Sequence, residues 1–344
     1  METLISSLLP QFVFPVNHAS DVSAARRAGQ KLADEIGFNE VQAGRLAIVV
    51  TEAGTNILKH AGAGTLYIMG AQSGTATAGI DVVAVDNGPG IADFATSIQD
   101  GVSTAGTAGT GLGALRRQSD EFDVWSQRGR GAVFFMRLWR GAAPAEACGV
   151  EAGALFLPMA GEEACGDGWA VSCDIDGATL LGVDGLGHGP EAAKAARAAV
   201  ETLGRRRATA PADVVRDVHD ALRVTRGAAM SVARIDYAAA DLRFAGIGNV
   251  NCVVQDGESR RTLVSHNGIV GHNMRKVQEF DTACPPGALC IMHSDGIQTQ
   301  WNLADYPGLQ MRTPVLVAAI LVRDFTRGRD DAMVLVARRK ETAQ

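Results

Sequence analysis

The chain has 344 residues, 47% of them hydrophobic and only 5% aromatic, with a formal net charge of -6. That length suggests two domains, or one large one. An acidic balance has no electrostatic footprint for nucleic acid or an anionic membrane surface, so neither is an expected partner. The opening residues METLISSLLPQFVFPV place an acid where a secretory leader needs positive charge, and a proline follows early. The longest apolar run, Pro314 to Val322, is too short to span a bilayer. The expectation is a soluble, cytoplasmic protein. Its six cysteines (Cys148, Cys165, Cys173, Cys252, Cys284 and Cys290) form no CxxC pair and read as small buried hydrophobes.

In chain order, Asp21 to Phe38 spaces Val22, Ala25, Leu32 and Ile36 on one helical face. Asn39 caps the next helix, which runs through LAIVVTEAGTNILKHAG, Leu46 to Gly62. GTLYIMGAQ and GIDVVAVDN then read as strands, and FDVWSQRGRGAVFFMRLW as a hairpin turning at QRGRG. The aperiodic stretch 141–153, rich in small residues, Pro and Gly, reads as a linker between domains at 1–140 and 154–344. Beyond it come strands, then two helices (one in PEAAKAARAAVETLGRRR, one from Pro211), then strands again. Strands, helices and strands in blocks predict an α+β fold of packed layers.

Three pieces of the first domain have a joint use. Glu52 and Asn56 lie one turn apart on the same helical face. DNGPG, Asp86 to Gly90, follows an apolar strand, and GTGLG, Gly109 to Gly113, opens a helix. A carboxylate at a strand end can accept a hydrogen bond from an exocyclic amine such as that of adenine. A Gly-rich helix start offers unpaired amides to phosphates. Asn can ligate Mg²⁺ through its carbonyl oxygen, and Glu can take a proton from an acceptor hydroxyl. Singly, each glycine segment reads as a turn; together, in this order, they read as a nucleotide site. Lys59 and His60 read as solvated helix-end residues.

The segment Asp21 to Trp139 resembles the RsbT-like anti-sigma-factor serine kinases of the GHKL (Bergerat-fold) ATPase superfamily. EAGTN matches the N box of that family, DNGPGI its first glycine box and GTGLGALRRQSDEFDVWS its second. The resemblance implies an ATP site with Glu52 as general base and Asn56 as Mg²⁺ ligand. It implies that Asp86 reads adenine while Gly88, Gly90, Gly109, Gly111 and Gly113 shape the pocket. No histidine-bearing dimerisation helix is present, which points to Ser/Thr of a partner as acceptor. One departure is Ala132, where the superfamily often carries Thr near the base.

The second domain scatters acids at strand ends: Asp167, Asp184, Asp295, and Asp330 with Asp331. One such acid is a turn former. Several bracketing apolar strands would repel unless cations neutralise them, and hard oxygen ligands suit Mg²⁺ or Mn²⁺. Two ions ~3.5–4 Å apart would clamp a phosphoryl group. From Ala164 to Arg339 the chain resembles the SpoIIE/RsbX branch of metal-dependent Ser/Thr phosphatases, through CGDGWAVSCDIDGATLLGVDGLGHGPEA, IMHSDGI and RDDAMVLVARR. Carried over by motif, Asp184 bridges two metals, the Gly185 carbonyl helps hold one, and Asp167, Asp295 and Asp330 complete the shells. Asp331 reads as a capping or supporting residue, Asn249 as structural, and His188 and His293 as orienting or packed residues. Met333 departs from the Ser or Thr usual in that place.

The implied fold is a GHKL α/β sandwich followed by a phosphatase α-β-β-α sandwich. The implied function is reversible phosphorylation of a STAS-type switch protein in partner-switching stress or sigma-factor signalling. The alternative is a phosphatase whose first domain only binds a partner in response to nucleotide.

Overall fold

The structure, a computed structural model, describes residues 3–73, 77–91, 111–142, 148–205 and 210–340. It packs as two compact units, Leu9–Ala145 and Met1–Leu8 together with Glu146–Gln344.

In the first unit, β2 (Gln11–Val16) leads to helices α1 (Ala19–Ile36) and α2 (Glu40–Asn56). A short π-helical turn, Ile57–Ala61, extends α2. Strands β3 (Gly64–Ser73) and β4 (Thr77–Asp86), helix α3 (Gly111–Gln118) and strands β5 (Glu121–Ser126) and β6 (Ala132–Trp139) follow. The strands form one antiparallel sheet in the order β2-β3-β4-β6-β5. Alternate residues of β3, β4 and β6, such as Leu66, Ile68, Ile80, Val82, Phe134 and Met136, enter the core with the apolar faces of α1 and α2. The chain turns sharply between the helices because Gly37 takes the left-handed conformation, φ 81°. Asn39 then caps α2 as expected: its side chain accepts from the Gln42 amide at 2.9 Å, and Gln42 returns the bond at 2.9 Å.

The second unit has two antiparallel sheets. One runs β1-β8-β9-β10-β11-β14: Thr3–Ser6, Asp167–Cys173, Gly177–Gly185, Ala228–Asp236, Asp241–Ile247 and Phe280–Ala283. The other runs β13-β12-β15-β16-β7: Ser259–Leu263, Asn251–Asp256, Leu289–His293, Ala332–Arg339 and Val150–Leu157. Apolar faces of both sheets share one core containing Trp169, Phe244, Met292 and Leu335. Helices α4 (Pro190–Gly204) and α5 (Pro211–Leu222) cover the first sheet through a second core. Helix α6 (Pro314–Phe325) lies on β7 and β16. This is the expected α-β-β-α sandwich.

Two expectations need correction. The sequence places the residues before β2 in the first domain, but Thr3–Ser6 pairs with β8, from Thr3↔Cys173 to Ser6↔Ala170. Strand β7 likewise begins at Val150, inside the expected linker. Strand β8 is buried along its whole length, so its outer edge needs hydrogen-bond partners that β1 supplies. The six cysteines are not all unbonded. Cys148 and Cys173 are joined by a disulfide, with Cα atoms 5.7 Å apart, because the start of β7 meets the end of β8. Cys252, Cys284 and Cys290 are free and buried, as read. Among the described residues no helix is long and apolar enough to cross a membrane.

Gly54, inside EAGTN, is where α2 touches α1. A Cβ there would lie 2.7 and 2.8 Å from the two methyls of Val22. Gly54→Ala should gain about 1 kcal/mol of helix propensity but lose roughly 1–3 kcal/mol to overpacking. The expected outcome in denaturant unfolding is net destabilisation, relieved by adding Val22→Ala.

Candidate functional site

In the first unit, α2 and its π-helical turn form a wall that carries Glu52 and Asn56. π-helical turns occur often at functional sites. Helix α3 begins against this wall. A Cβ on Gly111 would stand 3.1 Å from Asn56 Oδ1 and 3.3 Å from Glu52 Oε2, a tight contact that the glycine avoids as its backbone comes near. The far end of the wall meets the DNGPG loop: a Cβ on Gly88 would lie 2.7 Å from that of Ala61. Asp86 ends β4, and its Oδ1 accepts from the Gly88 amide at 2.8 Å and the Ala132 amide at 3.3 Å. Ala132 thus meets Asp86 through its backbone, with no hydroxyl to add. Gly90 has a packing reason: at φ 70° it lies on Gln127 of the β5–β6 turn, and the Gly129 amide bonds Pro89 O at 2.8 Å. Gly113 is buried within α3. Gly109 lies outside the described residues. Lys59 and His60 are exposed.

Among the described residues, the half-buried Asn56 leaves Nδ2 without a hydrogen-bond partner. Buried amide atoms are ordinarily satisfied, and the two ends of a carboxamide exchange without changing its shape. Such an atom facing Gly111 and Glu52 fits the metal–phosphate part of a nucleotide.

In the second unit the acids gather at one end of the two sheets. Asp167 and Asp184 sit directly opposite each other on β8 and β9. Asp295 follows β15, and Asp330 and Asp331 precede β16. Burial and then the Asp184 charge push Asp167 well up from the usual carboxylate range, against the Ser294 hydroxyl, which favours its charged form. Burial first, then repulsion from Asp295, Asp330 and Asp331, pushes Asp184 up to about 7. Burial and Asp330 raise Asp295, while Arg327 and Asn249 pull it down.

Supporting groups define the rest. Asp331 spends both oxygens on backbone, accepting from the Met159 amide at 2.7 Å and the Gly166 amide at 2.8 Å. It therefore pins the segment entering β8. Gly185 fits where no Cβ could, because one would run into the Ala192 carbonyl, and its amide bonds Gly166 O at 3.0 Å. His188 pairs with Glu162 at 2.6 Å on the surface. His293 is buried, donating from Nδ1 to Ser294 O at 2.9 Å and accepting from Trp301 Nε1 at 3.3 Å. The side chain of Met333 enters the core while its amide bonds Ser294 Oγ at 2.9 Å. Ser294, which the sequence does not single out, has a hydroxyl near enough to favour the charged form of Asp167. Asn249, read only as structural, donates to Asp295 Oδ2 at 2.6 Å. Its place in the turn GIGNV before a strand was the available signal.

Among the described residues no three His, Cys, Asp or Glu side chains enclose one point closely enough to hold an ion as they stand. The electrostatic coupling reaches further than coordination does. Buried Asp167 nevertheless leaves Oδ2 without a partner, and all the donors are hard carboxylate oxygens. Both features fit a divalent cation of the Mg²⁺ or Mn²⁺ kind, which would draw the acids together.

Comparison with known proteins agrees with both halves. The family model described as Histidine kinase-like ATPase domain matches residues 14–138, and that of Stage II sporulation protein E (SpoIIE) matches residues 176–340. Serine/threonine-protein kinase RsbT of Bacillus subtilis (strain 168) is 37% identical over 119 residues, which are 35% of this chain and 89% of that protein. A solved structure described as "The bacterial stressosome: a modular system that has been adapted to control secondary messenger signaling" is 31% identical, with TM-score 0.52. It covers 55% of this chain and 99% of that one. The crystal structure of RsbX in complex with magnesium shares the fold at TM-score 0.50 and 18% identity, covering 57% of this chain and 97% of that one. The class is therefore a SpoIIE-type Ser/Thr phosphatase domain joined to a histidine-kinase-like ATPase domain. Through that ATPase domain the chain belongs to the RsbT family of serine/threonine-protein kinases.

Two outcomes are expected. Burial and its acidic neighbours push the Asp184 carboxyl up to about 7 in the folded, metal-free protein, from the ordinary aspartate value of 3.8 that the unfolded chain keeps. The stability it contributes is complete below the lower value and is lost as pH rises through the higher one. Metal-free protein should melt several degrees lower at pH 8 than at pH 5 in a calorimetric scan, and Mn²⁺ should close that gap. Asn249→Ala should weaken Mn²⁺ binding about 10-fold by calorimetric titration, as loss of a ligand-orienting partner does.

Proposed function

We propose that the chain both adds and removes a phosphoryl group on Ser/Thr of one switch protein. In the first unit, Asn56 would hold Mg²⁺ and Asp86 the adenine of ATP. Gly88, Gly90, Gly109, Gly111 and Gly113 would admit the nucleotide, and Glu52 would take the proton of the acceptor hydroxyl. In the second unit, Asp184 and the Gly185 carbonyl, with Asp167, Asp295 and Asp330, would hold two Mg²⁺ or Mn²⁺ ions. Bound there, the ions supply a water-derived nucleophile and a clamp for the phosphoryl group. The carboxylates would fix where the phosphoester enters, and Asn249 holds one of them, Asp295, in place. The observation that carries the reading is that each unit leaves a polar atom unpartnered inside its own site, Asn56 Nδ2 and Asp167 Oδ2. The likeness to RsbT and to a stressosome structure supports a STAS-domain phosphoprotein, anti-anti-sigma or stressosome-like, as the common substrate in partner switching. The kinase-like unit corresponds to Leu9–Ala145 and the phosphatase to the remainder.

A second reading is favoured by Ala132, which meets Asp86 only through its amide. There the first unit binds ATP and a partner without phosphorylating it. One experiment separates the two. A cognate STAS protein is mixed with labelled ATP, divalent metal and the Asp184→Asn chain. Stable label on the STAS protein is the expected result, with dephosphorylation down by roughly 100-fold or more. Adding Glu52→Ala should then cut label transfer by about 10²–10⁴ while ATP binding persists. No transfer from the Asp184→Asn chain overturns the kinase half, and undiminished dephosphorylation overturns the phosphatase half.

A further inference from the structure

We propose that the first strand of the chain is a working part of the phosphatase: β1 and Ser7 hold the strand that carries Asp167 in position. This rests on the carboxylate site described above. Asp167 and Asp184 are directly opposed on β8 and β9, and like charges so placed push their strands apart. Within its sheet, among the described residues, β8 is hydrogen-bonded to β9 on one edge and to β1 on the other. The restraint on its outer edge therefore comes from β1.

The grip is tightest beside the acid. The Ser7 amide donates to Trp169 O at 2.9 Å, and the Trp169 amide donates back to Ser7 Oγ at 3.1 Å. Between Trp169 and Asp167 lies Gly168, where a Cβ would stand 3.2 Å from Ser7 Oγ, so a bare backbone lets Ser7 close in. Side chains alternate to both faces of the sheet. Ile5 packs into the core between the two sheets, and Leu4 packs into the core under α4 and α5. A strand anchored in both cores resists sliding as well as peeling. Only Ser7 to Pro10 separate β1 from β2, so this element of the phosphatase reaches the nucleotide-binding unit through four residues of chain.

The test compares the intact chain with one in which residues 1–7 are replaced by a single initiating Met, and with Ser7→Ala and Ser7→Thr. Mn²⁺ affinity is titrated calorimetrically at 10 °C, and amide hydrogen exchange is followed along β8. Truncation should weaken Mn²⁺ binding about 10-fold and speed exchange at Trp169 to Cys173, with ATP binding unchanged. A synthetic METLISSL peptide should restore both. Ser7→Ala should show a smaller loss that Ser7→Thr recovers. A truncated chain with native Mn²⁺ affinity, even with a lowered melting temperature, overturns the proposal and leaves β1 a mere cover. If the truncated unit does not fold, Ser7→Ala decides: reduced affinity upholds the proposal and native affinity overturns it. If the intact chain binds no Mn²⁺, the carboxylate reading fails. β8 exchange then decides this proposal alone, accelerated exchange supporting it and unchanged exchange overturning it.

Discussion

Two carboxylates facing each other across adjacent strands are an unfavourable arrangement, and the second unit is built to impose it. Asp167 and Asp184 occupy opposed positions on β8 and β9, one of them fully buried, where charge is costly. Nothing local would hold them so. Strand β8 is fixed by β1 on one edge and β9 on the other. α4 packs beneath it, and the segment entering it is pinned by Asp331. Two packed sheets then bring Asp295 and Asp330 to the same end. Burial, and after it repulsion from Asp295, Asp330 and Asp331, raises Asp184 to about 7, and a pair of divalent cations would relieve both. The same strain thus marks the site and prepares it for metal.

The first unit solves a milder form of the problem. Its polar pair lies on a helix otherwise committed to the core. Gly54 lets α2 approach α1 closely enough to seat the apolar face, which leaves Glu52 and Asn56 on the side toward α3. Gly111 then brings backbone up to both side chains. In each unit the candidate site atoms sit on or beside helices and strands, and small residues or neighbouring amides set their distance, which is what a preorganised site needs.

Much of this was legible in order along the chain. The helices and most strands follow from periodicity, Asn39 from its capping pattern, and the acids from their places at strand ends. The N box and both glycine segments could be recognised because their spacing is local. Other features were illegible because their meaning depends on a distant partner. Ser294 matters through Asp167, and Asn249 through Asp295. Gly90 serves Gln127 of a turn far along the chain. Cys148 and Cys173 carry no sequence signal that they meet. Thr3–Ser6 is too short and too featureless to announce that it pairs beyond the whole first unit.

By itself, the sequence determined the two kinds of domain and the residues proposed to serve them. Residue type and short-range spacing suffice for a glycine-rich helix start or an acid at a strand end. Only the tertiary structure decided how those residues are held. The pairing of Asp167 with Asp184, the edge strand drawn from the start of the chain and the amides that occupy Asp331 are contacts between distant residues. Hydrogen-bond register and core packing select such contacts from the many that the same local pattern would allow.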